Sequence, residues 1–107
     1  MAANIGKGAG EAMRIVEVKS YPEVNKVLDE GADIAVLQDG AACCVMTRSH
    51  DIVRRIERED PEDFRVVNRD DRYFCLEATA EESTVNELIF FLELLFGLKT
   101  VDRTVQT

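Results

Sequence analysis

The sequence predicts an α+β domain of order βαββαββα, in which the first six elements follow the ferredoxin-like split βαβ pattern and a hairpin strand and a hydrophobic C-terminal helix are appended. Three observations lead there. Short β-branched runs alternate with two amphipathic stretches, Asp39-Gly40 divides two apolar runs in the manner of a hairpin, and residues 84–98 read as a helix that is apolar around most of its circumference.

The first strand is Met-Arg-Ile-Val-Glu-Val-Lys, residues 13–19. Ser20-Tyr21-Pro22-Glu23 follows with the spacing of a capping box and a proline in the first helical turn, so the chain passes from strand to helix within one or two residues. Val24, Val27 and Leu28 give that helix a narrow apolar stripe, and Gly31 is placed to end it in the left-handed conformation. Residues 33–38 and 41–46 are the next two strands, and both are almost continuously apolar. A strand with one wet face alternates, so these two demand cover on both faces: the first two helices on one side of the sheet and the C-terminal helix on the other.

Ser49 is placed to cap the second helix, whose stripe is Ile52, Val53 and Ile56, and Asp60-Pro61-Glu62-Asp63 ends it. Residues 64–68 and 72–78 form a second hairpin about Arg69-Asp70-Asp71. Thr84 and Glu87 have capping-box spacing ahead of the last helix. The domain organisation is thus a disordered, glycine-rich N-terminal tail (1–12), one α+β domain (13–99) and a polar C-terminal tail (100–107).

The last helix carries the main functional signal. Val85, Leu88, Ile89, Leu92 and Phe96 make one face, and Phe90, Phe91, Leu94 and Leu98 make another on the opposite side. A chain of 107 residues has room for one hydrophobic core, so the second face is expected to be an interface. Glu93 breaks the apolar run, and the segment falls short of the roughly 20 residues a bilayer requires.

Composition excludes some partners. The net charge of −8, from 21 acids and 13 bases, repels nucleic-acid phosphates and anionic membranes. Nine arginines against four lysines suit surface ion-pair networks. An odd cysteine count, with no apolar leader, implies a reduced cytoplasmic setting.

Three clusters could carry chemistry. Cys43 and Cys44 with Cys75 and His50 are the soft-metal or redox candidates, but neighbours on a strand point to opposite faces and no Cys-x-x-Cys pair exists, so core packing is the expected role and no metal or cofactor is implied. His50, beside Ser49 and Asp51, would need Cys44 or Ser49 as nucleophile, and no oxyanion loop accompanies them; no catalytic residue is assigned. Arg48, Arg54, Arg55 and Arg58 could gather round a small anion, although eight acids share the 48–72 window and favour internal ion pairs. Glu57 to Asp71 lacks the calcium-loop order, and Tyr73-Phe74 lacks the RNA-recognition signature. The expected function is a small cytosolic, non-enzymatic binding or regulatory module that self-associates, or docks on a larger complex, through its C-terminal helix. The alternatives are an arginine-based anion sensor and a small Cys/His enzyme.

Overall fold

The computed structural model describes residues 13–79, 84–96 and 102–105. The elements are β1 (Arg14–Val18), α1 (Pro22–Asp29), β2 (Ile34–Asp39), β3 (Ala42–Thr47), α2 (His50–Glu59), β4 (Phe64–Asp70), β5 (Tyr73–Ala78), α3 (Val85–Phe96) and β6 (Asp102–Val105). The expected N-terminal tail, 1–12, lies outside the described residues. Part of the segment expected as a polar C-terminal tail forms β6, which pairs in parallel with β1.

The α+β class is as expected, but the strand order is not that of a split βαβ unit. The mixed six-stranded sheet runs β4-β5-β3-β2-β1-β6. In the split unit another strand separates the two parallel strands. Here β1 and β2 pair directly, with Ile15 opposite Ile34 and Leu37 opposite Val18, so α1 is a plain crossover between adjacent parallel strands. The linear order of elements is common to both arrangements, and only long-range pairing separates them.

Local chemistry sets the boundaries. The reciprocal capping box forms at α3, where Glu87 N donates to Thr84 Oγ1 at 3.2 Å and Thr84 N donates to Glu87 Oε1 at 3.3 Å. At α1 only half of it forms: Glu23 Oε1 accepts from Ser20 N and Lys19 N, while Tyr21 takes the cap position with no side-chain bond to the helix. Ser49 caps α2, its Oγ accepting from Ile52 N. The hairpin between β2 and β3 turns on Gly40 at φ 64°, a left-handed conformation that favours glycine.

Two cores flank the sheet. Ile34 and Val36 of β2, with Cys43 and Val45 of β3, face α2 and α3; Ala35, Leu37, Cys44 and Met46 face α1. Both strands are therefore buried on two sides, which explains their continuous apolar sequence. The helix distribution corrects the sequence expectation, because α2 shares a face with α3 and α1 lies alone on the other. Val85, Leu88, Ile89 and Leu92 are the sheet-facing residues of α3, each contributing about 1.5 to 3 kcal/mol by burial. Among the described residues, Thr47 is the buried polar side chain of the core, donating to Asp33 O at 2.8 Å and accepting from Ser49 N at 3.1 Å.

Candidate functional site

The α3 helix has an inner face buried against β2 and its neighbours and an outer one that is open. Phe90 is 61% exposed and Leu94 is 68% exposed, four residues apart and so on one ridge of the helix. Phe91 is less open: its ring meets Phe64 of the edge strand β4 at 5.5 Å between centroids. Phe64 shares a face of β4 with Val66, which is also exposed, so apolar surface continues from the helix onto the sheet edge. Of the four residues expected at an interface, two are therefore exposed and one is half-buried. The fourth, Leu98, lies outside the described residues. Among the described residues, no helix is long and apolar enough to cross a membrane.

The arginines do not gather as one group. Arg48 turns toward α1, where its guanidinium donates to Asp29 Oδ1 at 2.7 Å and Asn25 Oδ1 at 2.9 Å, and it also donates to Arg72 O, in the turn between β4 and β5, at 3.2 Å. Arg54, Arg55 and Arg58 remain together on α2 and line a groove with Met13, Ile52 and Phe96. Arg48 sits at the junction between β3 and α2, and its side chain points to α1 while the others stay on α2, a difference of direction that sequence spacing does not resolve.

The cysteines divide as strand periodicity requires. Cys43 Sγ donates to Gln38 Oε1 at 3.2 Å on the α2/α3 side, while Cys44 belongs to the α1 side together with Cys75. His50 opens α2 on the surface and stacks on Phe74 at 5.6 Å. The sheet thus lies between His50 and Cys44, and Ser49 Oγ is engaged in capping. The geometry needed for a Cys/His or Ser/His pair is not assembled here.

The structure instead brings together a set that no sequence pattern pointed to. Tyr21 Oη stands 2.8 Å from Asp39 Oδ2 and 3.6 Å from Cys44 Sγ. The Arg69 guanidinium lies over the Tyr21 ring, 4.5 Å from its centroid, and 3.7 Å from Asp39 Oδ2. Cys44 and Cys75 meet in the core on the α1 side, from the adjacent strands β3 and β5, and all three cysteines are free and buried. The bond to Cys75 holds the Cys44 thiol down to about 7, aided by Tyr21 and Arg69 and opposed by burial. Cys75 is pushed up in turn, because it gives its proton to that bond and is itself buried. Burial also raises Tyr21, and its contacts with Cys44 and Asp39 add to this. The only sequence signal was the burial expected of three cysteines in apolar strands; their pairing across β3 and β5 depends on register.

No known protein family, curated protein or solved structure matches this chain. The functional reading therefore stands on the residues themselves. A polar cleft of about 520 Å³ opens beside Tyr21 and Arg69, lined also by Pro22, Asn25, Asp70, Arg72 and Tyr73. Its charges are already matched. Asp70 accepts from Arg72 N, Nε and Nη2 at 2.8 to 3.1 Å and is held down to about 2, chiefly by Arg72, and Asn25 Nδ2 donates to it as well. An anion entering there would have to displace a carboxylate that is already well bonded.

Proposed function

We propose that this chain is a non-catalytic binding module that self-associates through the outer face of α3, with Phe90 and Leu94 as anchors and Phe91 as a fixed rim. The observation that carries this reading is the exposure of two large apolar side chains on one helix ridge whose opposite face is already committed to the core. Aromatic and aliphatic anchors of this kind supply most of the energy of protein interfaces. A second copy is the favoured occupant because the i, i+4 ridge of one helix packs into the groove beside the same ridge of another. The net charge of −8 argues against nucleic acid as the partner. It also means that two copies repel except where apolar contact outweighs charge. We place the module in a reduced cytoplasm, where three free thiols would persist.

Sedimentation equilibrium across micromolar to near-millimolar concentration, at low and high salt, tests the proposal. Self-association should give twice the monomer mass and strengthen with salt, as screening removes the repulsion between two acidic copies. A monomer at every concentration would overturn it. Binding to a basic partner would show the reverse salt dependence, which separates the two kinds of docking.

A further inference from the structure

The groove between α2 and the C-terminal end of α3 carries a different signal. It has a volume of about 450 Å³, with Met13, Ile52 and Phe96 as its apolar lining, Arg54, Arg55 and Arg58 as its cations and Asp51 as its acid. Such a volume lies within the range of small-molecule sites. Arg55 is held in place: Nη2 donates to Leu95 O at 3.0 Å and the guanidinium lies 5.7 Å from the centre of the Phe96 ring. Its Nε is buried without a hydrogen bond, the nearest carboxylate oxygen being Glu59 Oε2 at 3.8 Å. Arg54 and Arg58, one helical turn apart on α2, are exposed and have no ion-pair or hydrogen-bond partner among the described residues. The groove is thus a net-positive patch on a strongly acidic chain.

We infer that this groove binds a small amphiphilic carboxylate. The paired forks of Arg54 and Arg58 take the carboxylate, since a planar guanidinium matches its two oxygens. Phe96, Met13 and Ile52 take the apolar body, which a simple inorganic anion would leave unused. Repulsion from the rest of the surface makes the patch selective by position: an anion finds favourable potential where three arginines converge and an unfavourable one over most of the chain. The site is separate from the outer ridge of α3, because neither Phe90 nor Leu94 lines it.

The test is an NMR titration of the full chain with octanoate below its micellar concentration, beside octanol and inorganic phosphate. Saturable shifts at Ile52, Arg54 and Phe96 with octanoate, at least about tenfold weaker binding of the other two, and a similar loss in Arg54→Gln/Arg58→Gln are expected, each lost charge-assisted bond being worth about a factor of ten or more. The double variant should melt where the parent does, because both side chains are exposed. Equal binding of octanol, undiminished binding by the double variant, or shifts centred on Phe90 and Leu94 would each overturn the assignment. The last outcome would leave the α3 reading intact, and a monomeric chain that still binds octanoate would leave this one intact.

Discussion

Tyr21 Oη bonds Asp39 Oδ2 at 2.8 Å, joining the cap of α1 to the end of β2 while resting 3.6 Å from the thiol of Cys44. One hydroxyl thereby couples the lone helix on its face of the sheet to the hairpin and to a buried dithiol. Tyr21→Phe should lower stability by about 1 kcal/mol, the usual net worth of a hydrogen bond, and should move the first thiol ionisation upward. Urea denaturation reads the first effect. The ultraviolet thiolate absorbance of the native protein reads the second, and an unchanged titration would show that Tyr21 does not act on Cys44.

The thiol pair also sets a pH dependence. Cys44 falls from an ordinary 9.0 to about 7 in the native state, so between those values the native form has released a proton that the unfolded chain retains. Its contribution to stability is fully present above about pH 9 and is lost as the pH falls through about 7. Cys75 and Tyr21 are raised, so above their ordinary values of 9.0 and 10.0 the unfolded chain ionises first and stability declines. Urea midpoints should accordingly climb from neutral pH to a maximum near 9 and then fall, and Cys44→Ser should abolish the climb.

Charge on the outer ridge of α3 distinguishes interface from core. Phe90→Glu should abolish self-association in sedimentation experiments and change monomer stability by only about 0.5 kcal/mol, the range typical of surface sites. Leu92→Ala, at a fully buried position, should cost about 2 to 5 kcal/mol. Phe91 is a poor probe, because its ring packs on Phe64 and a charge there would disturb both packing and surface.

Arg55 anchors the end of α3 from α2. Arg55→Met keeps much of the aliphatic bulk and removes the bond to Leu95 O and the charge over Phe96, so a loss of about 1 to 2 kcal/mol is expected. Arg55→Lys should recover only part of this, since a point charge does not reproduce the planar fork. Amide exchange along Val85–Phe96 is the direct readout, faster toward the C-terminal end in the variant.

At Gly40 the constraint is conformational rather than steric. With φ at 64° and nothing within 4 Å of an added Cβ, Gly40→Ala should cost about 1 kcal/mol and Gly40→Val more, while Gly40→Asn is tolerated best. Thermal unfolding of the three variants gives the ranking.

Much of the secondary structure was legible because it is local. The Thr84/Glu87 box, the Ser49 cap, the Asp39-Gly40 hairpin and the doubly apolar strands β2 and β3 each follow from neighbouring residues, and period-two alternation alone put Cys43 and Cys44 on opposite faces. The two-sided character of α3 was equally readable, and it marked Phe90 and Leu94. Tertiary structure decided the rest. Pairing β1 directly with β2, placing α2 beside α3, turning Arg48 away from Arg54 and Arg58, and setting Cys44 beside Cys75 under Tyr21 all join residues distant in sequence. Such contacts depend on strand register and on which face each helix covers, and local propensity is the same for either choice.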